Sequence, residues 1–292
     1  KYSIDLTYND TYNQINPLFV SSAGRYIWLK DAGKVVFFDG KISIWANHIE
    51  VDSSSNNLKE AQQKAAGRHF PSNGRIPDET AFRRPQLCSW IYLKHQQNQA
   101  GILEFAKSYI GKGYQPGVLI IDDKWQKDYG EWEFNSDRFP DPKALIDELR
   151  QMGFKVVLWI VPYVSLNCPS AAHLKERDAL IRDKNGEFIT AKWFNGESYA
   201  LDFTKPYANE WMKSQLDRLR ASYNISGFKF DCGDAQFLPK SYAFANEQNL
   251  LWAKSMNIEN DDAILELRSC YKYGGVNCIQ RLADKSHCWS VE

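Results

Sequence analysis

The pattern of apolar and polar positions changes near residue 85. Up to about residue 51 the two classes alternate over short runs: "PLFVSSAGRYIWLK" (17–30), "KVVFFDG" (34–40) and "KISIWAN" (41–47). Turn signals such as "DAGK" and "FDGK" separate them. Alternation with a period of two, punctuated by Gly and Asp, predicts strands of an antiparallel sheet. Residues 51–80 break the pattern with Ser, Asn, Gly and Pro around a short helical piece, and read as a linker.

From about residue 85 the order becomes strand, helix, strand. "LCSWIYLK" (87–94) is strand-like, and "QAGILEFAKSYIGKG" (99–113) carries Ile102, Phe105, Ala106 and Tyr109 at helical spacing. "GVLIIDD" (117–123) predicts a second strand and "PDPKALIDELRQMGF" (140–154) a helix, with Pro142 suited to its first turn and Gly153 to its stop. "KVVLWIVPYV" (155–164) is the third strand. After a longer insertion come the helix of 205–224, the strand "SGFKFD" (226–231), the helix of 241–257 and the strand "AILELRS" (263–269). "HCWSVE" (287–292) reads as a sixth strand.

Near-continuous apolar strands joined by helices imply an α/β fold with a parallel sheet buried on both faces. An open doubly wound sheet and a (β/α)8 TIM barrel both fit. No Gly-rich phosphate loop follows the first strand, which favours the barrel. Residues 81–292 are therefore expected to form a (β/α)8 catalytic barrel, and residues 1–80 a partial N-terminal antiparallel β-sandwich with its linker. Only six strands can be counted, so the barrel reads as truncated, with about two βα units absent. Open sheet edges would leave residues 1–292, expressed alone, poorly active or prone to aggregate.

Composition narrows the function. Lys plus Arg and Asp plus Glu are 36 each, and this zero balance gives no footprint for nucleic acid. No apolar run approaches the length of a membrane span. Ten Trp and fifteen Tyr furnish either a large aromatic core or flat rings that stack on the apolar faces of sugars. The six cysteines are scattered without a CxxC pair or a zinc-like cluster. Two sequons, at Asn9 and Asn224, lean towards the secretory pathway.

In βα folds the C-terminal ends of the strands face the ligand. That edge carries Trp90, then Asp122, Asp123, Lys124 and Trp125, then Pro162 and Tyr163. Asp231 and Asp234 follow, then Glu266 and Arg268, then the stretch from Asp284 to Glu292. Carboxylates and aromatics dominate and no His sits at these ends, so the pattern points to chemistry run by two carboxylates. Simpler roles exist: Asp122 and Asp123 as caps of a turn, Arg268 as a partner of Glu266, Cys232 as packing. Asp234 reads either as an N-cap or as an acid that orients the pocket.

Several segments resemble glycoside hydrolase family 31. "WEFNSDRFPDPKALIDELRQMGFKVVLWIVPYVS" (132–165) is similar to the stretch in which "FPDP" opens the helix after the second barrel strand. "GFKFDCGD" (227–234) resembles the nucleophile strand, and "ELRSCYKYGGVNCIQRLADKSHCW" (266–289) the acid/base region. The likeness runs from about residue 17 to the end and is greatest to the α-galactosidase-like branch. It implies a retaining α-glycosidase with Asp231 as nucleophile and Asp284 as general acid/base. Arg268 would bind sugar hydroxyls, as would Asp122 and Asp123 deep in the pocket, while Trp125 and Trp193 would shape its walls. Members with an acid three residues after the Trp that matches Trp289 make Glu292 a rival to Asp284. The implied partner is a carbohydrate, with no metal and no organic cofactor. Alternatives are a sugar-binding protein on the same scaffold, an α-glucosidase or α-xylosidase, and a divalent-metal hydrolase using Asp122, Asp123 and Asp231.

Overall fold

The computed structural model describes residues 1–7, 15–255, 263–282 and 284. Its N-terminal part contains β1 (Tyr2–Asp5), β2 (Leu18–Ser21), β3 (Arg25–Leu29), β4 (Lys34–Phe38), β5 (Lys41–Trp45) and β6 (Ile49–Asp52). They form two antiparallel sheets of three strands, ordered β1-β4-β5 and β2-β3-β6. Alternate residues turn inward, so Leu6, Leu29 and Val35 are fully buried, with Phe19, Ile27, Phe37 and Ile44 packed around them. This is the small core of a sandwich.

The segment read as a linker contains a regular helix, α1 (Leu58–His69). Asn57 caps it by accepting from the Glu60 amide at 3.0 Å, and Glu60 accepts in return from the Asn57 side chain. Its C-terminal His69 stacks on Trp28 at 4.2 Å between ring centroids, which docks the helix on the β2-β3-β6 sheet.

A short helix α2 (Thr80–Arg83) leads into β7 (Gln86–Cys88), which is shorter than the sequence suggests. The Ser89 amide still donates to Ile120, but the Leu93 amide turns back to the Ser89 carbonyl. Trp90–Leu93 is therefore a helical turn, α3, and Trp90 begins it rather than ending a strand. The remaining elements are α4 (Gln99–Gly111), β8 (Val118–Ile121), β9 (Gln126–Asp128), β10 (Glu131–Phe134), α5 (Pro142–Gln151), β11 (Lys155–Ile160), β12 (Tyr163–Ser165) and α6 (Pro169–Glu176). They are followed by β13 (Thr190–Trp193), β14 (Gly196–Ala200), α7 (Pro206–Tyr223), β15 (Gly227–Phe230), α8 (Ala245–Lys254), β16 (Ile264–Leu267) and β17 (Ile279–Gln280). The α5 stretch behaves as its sequence requires: Asp141 caps it, Pro142 opens it, and Gly153 follows it with φ +94°.

Strands β7, β8, β11, β15, β16 and β17 pair in that order, all parallel. The spatial order follows the chain without reversal. A doubly wound sheet would reverse at a switch point, so this curled sheet is barrel-like. The sixth strand is Ile279–Gln280; the predicted strand at 287–292 lies outside the described residues. The third predicted strand stops at Ile160, and Tyr163–Ser165 joins a separate antiparallel sheet, β12-β14-β13, inside the insertion. No helix among the described residues is long and apolar enough to cross a membrane.

The pleat separates two faces. Leu119, Ile121, Leu158, Phe228, Phe230, Leu265 and Leu267 pack outward with the helices in the main core. Val118, Ile120, Val157 and Ile264 form a smaller apolar layer with Ala81 of α2, and Cys88 and Ile279 pack against it. Two residues further along the same strands, this inner face becomes charged: Asp122, Lys229, Glu266 and Arg281. Above Lys229 and Glu266 come Asp231 and Arg268.

Candidate active site

Asp231 follows β15 directly, and its amide donates to Ile160 at 2.9 Å, which fixes it one residue beyond the strand. Only 5% of the residue is exposed. Oδ2 accepts from the Trp159 indole at 2.9 Å; Oδ1 lies 2.6 Å from Arg281 Nη2 and 3.5 Å from Arg268 Nη1. Burial alone would push this carboxyl up. The charges of Lys229, Arg281 and Arg268, with the Trp159 N–H, outweigh it and bring the pKa to about 2. The chain then takes two left-handed residues, Cys232 at φ +56° and Gly233 at φ +76°. A non-glycine residue held left-handed, as Cys232 is, belongs to a class of strained positions that cluster at functional sites.

Asp234 does not cap the turn that follows, since its side chain makes no capping bond. Its Oδ2 instead lies 2.8 Å from Arg268 Nε. Burial raises the Asp234 pKa, against the pull of Arg268. Arg268 is itself buried and also stands 3.7 Å from Asp284 Oδ2, so one guanidinium touches Asp231, Asp234 and Asp284. Its partners are these acids rather than Glu266, which belongs to Arg281 at 3.2 Å. Burial raises the Glu266 pKa as well. Asp284 hangs at the rim with its side chain 85% exposed and Oδ1 3.0 Å from Arg281 Nη1. Trp289 and Glu292 lie outside the described residues.

Asp122 and Asp123 directly follow β8 and are almost wholly buried. Asp122 Oδ2 pairs with Lys229 Nζ at 2.7 Å and accepts from the Cys88 thiol at 3.1 Å, while Oδ1 accepts the Asp123 amide. Burial would neutralise Lys229; Asp122 and Asp231 overcome this and raise its pKa. Asp123 accepts from Tyr129 Oη, Gln126 and, at 2.9 Å, the side chain of Asn195. Asn195 sits in the tight turn that joins β13 to β14. The acids thus face cations and N–H or O–H donors, an arrangement that differs from the metal cage one reading of the sequence allowed.

The two tryptophans part company. Trp193 lies at the end of β13 with its ring parallel to Trp159 (6.5 Å, 15°) and in contact with Tyr129 and Tyr163. Trp125 has no exposed surface, and its indole donates to the Trp159 carbonyl at 2.8 Å. It offers no face to a sugar here. It supports Trp159, which in turn holds Asp231.

Several residues of this site carry no assignment from the sequence, Lys229, Trp159, Tyr129 and Arg281 among them. Lys229 was discoverable: it stands two residues before Asp231 and so shares its face. Trp159, Tyr129 and Arg281 gave no comparable signal, because they meet the acids only through strand register and loop path.

A curled parallel sheet with buried, cation-held carboxylates at its C-terminal edge defines a β/α-barrel protein with a polar, acid-lined ligand site. Residues 85–276 match the family described as "Glycosyl hydrolases family 31 TIM-barrel domain", and the chain belongs to that family. It is 31% identical over 230 residues to the myogenesis-regulating glycosidase of Mus musculus, covering 77% of this chain and 32% of that protein. It is 23% identical to alpha-xylosidase XylQ of Lactiplantibacillus pentosus, over 75% of this chain and 29% of that protein. A family 31 α-xylosidase from a soil metagenome, solved with xylose, shares the fold with TM-score 0.73 and 18% identity, over 95% of this chain and 42% of the other. The chain therefore spans roughly a third of the length of these curated relatives.

Proposed function

We propose that the site is that of a retaining α-glycosidase acting on terminal α-linked hexose, with α-galactose as the preferred sugar. One observation carries the reading: Asp231, at the C-terminal edge of the sheet, is buried yet kept ionised by a ring of three cations and an indole N–H. A buried carboxylate held anionic suits attack on an anomeric carbon. The choice of α-galactose rests on the resemblance of the chain, from about residue 17 to its end, to the α-galactosidase-like branch of the family. The α-xylosidases among the relatives favour a second reading, an α-xyloside or α-glucoside substrate.

In the first half-reaction a carboxylate oxygen of Asp231 bonds to the anomeric carbon. The glycosidic C–O bond breaks, and Asp284 gives its proton to the departing oxygen. In the second, Asp284 takes a proton from water and the water oxygen bonds to the same carbon. The ester to Asp231 then breaks, its electron pair returning to the carboxylate. Two inversions retain configuration and require the carboxyls roughly 5–5.5 Å apart during the reaction. Asp122 has about one acceptor site left for a sugar hydroxyl after Lys229, Cys88 and the Asp123 amide. Asp123 would exchange Asn195 or Tyr129 for another, Arg268 would hold a hydroxyl beside the nucleophile, and Trp193 would wall the pocket. Trp125 stands behind that wall. No step needs a cofactor.

A panel of nitrophenyl α-galactoside, α-glucoside and α-xyloside tests the sugar; strongest turnover on the galactoside is expected, and preference for another ring transfers the specificity to the second reading. Asp231→Asn should lower kcat at least about a thousandfold. Full activity in that variant removes the nucleophile. Asp284→Asn compared with Glu292→Gln identifies the acid, with the larger loss on poor leaving groups expected at Asp284.

A further inference from the structure

Arg281 stands where the two proposed catalytic carboxylates meet. Its amide donates to Leu267 at 2.9 Å, so the backbone is held one residue beyond β17, at the height of Asp231 beyond β15. Ile279 packs on the inner apolar layer, and Arg281, two residues on, projects from the same face. The guanidinium divides its three nitrogens among three acids. Nε lies 3.2 Å from Glu266 Oε1, Nη2 2.6 Å from Asp231 Oδ1, and Nη1 3.0 Å from Asp284 Oδ1. Arg268 also reaches Asp231 and Asp284, but at 3.5 and 3.7 Å, and keeps its shortest ion pair for Asp234. Arg281 is therefore the tighter link between nucleophile and acid/base.

We propose that Arg281 is a positioning residue that couples the charge on Asp231 to the proton on Asp284 through the two half-reactions. The inference rests on the assignment of those two residues above. In the resting site Arg281 is shared, and its contact with Asp231 keeps that carboxylate ready for attack. Once the glycosyl ester forms, Asp231 carries no charge. The guanidinium, still paired with Glu266, is then released from Asp231 and can bind more closely to Asp284, which has just lost its proton and must take one from water. Attack on the ester restores the charge on Asp231 and Arg281 is shared again. A planar fork of fixed donors can bridge two carboxylates in this way, whereas a lysine ammonium is a single point of charge.

The test is the pH dependence and burst kinetics of Arg281→Gln and Arg281→Lys in the protein, with a dinitrophenyl α-glycoside whose departure needs little acid help. Arg281→Gln should move the acid limb of kcat/KM to higher pH by about one unit or more, because a cation beside Asp231 is gone. Its kcat should fall about tenfold to a hundredfold, with the glycosyl-enzyme accumulating. Arg281→Lys should keep the acid limb near its original place yet leave kcat low, since charge is restored without the bridge. Arg281→Lys with full kcat, or Arg281→Gln with an unmoved profile, overturns the inference; the Lys variant decides alone where Gln does not fold. Asp231→Asn with undiminished activity brings down the underlying assignment and the inference with it. Its inactivity beside an unmoved Arg281→Gln profile overturns the inference alone.

Discussion

Lys229 and Asp122 make an ion pair shut off from water, with side-chain exposures of 11% and 6%. Attraction across such a pair offsets the cost of burying both charges only while both are present. Lys229→Met leaves Asp122 uncompensated and removes one of the cations that hold Asp231 ionised. It should cost about 3–5 kcal/mol in urea denaturation. Adding Asp122→Asn should recover a large part, because the stranded charge is then gone; additive losses in the double variant would mean the two residues are not coupled. This pair also shows how far single residues can be read without coordinates. Asp231 stood out because an acid closing a buried strand has few structural uses, and Lys229 shares its face by the period of two. The bond from Trp159 to Asp231 spans 72 positions and depends on the register of β11 against β15, which no local pattern encodes.

Among the elements, the turn after β15 carries the most consequence per residue. Gly233 sits at φ +76°, and a Cβ there would lie 2.3 Å from Trp252 Cδ1, a buried ring of α8 that packs on Phe230. Trp252 cannot move without disturbing the strand that presents Asp231. Gly233→Ala should therefore destabilise by about 2 kcal/mol or more, from left-handed strain and overpacking together. It should also lower kcat in the fraction that remains folded. A thermal midpoint and kcat both unchanged would show that the turn adapts. Strands β8, β11, β15 and β16 were legible because burial on both faces writes an unbroken apolar run. The apolar run predicts too long a first strand because Trp90, Ile91 and Leu93 extend it, while the hydrogen bonds closing a helical turn at Ser89 leave no trace in composition. The two-residue strand β17 was hidden in a mostly polar stretch, and with it the position of Arg281.

At the scale of the whole molecule, Asn16, just before β2, and the segment after α1 brace the loop between β16 and β17. That loop runs from Arg268 to Cys278, so it begins at one guanidinium beside Asp231 and leads to the other. The Lys272 amide donates to Asn16 at 2.6 Å, the Asn73 amide donates to Gly275 at 2.8 Å, and the Asn73 side chain reaches Asn277 at 3.1 Å. Gly275 adopts φ +72°, and a Cβ on it would lie 2.4 Å from the Pro71 carbonyl oxygen. Backbone meets backbone there, so neither side can yield by rotating a side chain. These contacts hold the loop that leads from Arg268 to Arg281. Gly275→Ala should push the loop outward and lower kcat/KM about tenfold or more, as small misplacements of catalytic groups do. Gly40 supplies the control: it has a similar φ of +66°, lies in the hairpin between β4 and β5, and has nothing within 4 Å of an added Cβ. Gly40→Ala should show the cost of left-handed strain in its thermal midpoint and keep its kcat/KM. Equal activity per folded molecule in the two variants would mean that the brace supports folding alone. A selective loss at Gly275 would make the segment after α1 part of what holds the two arginines on their acids.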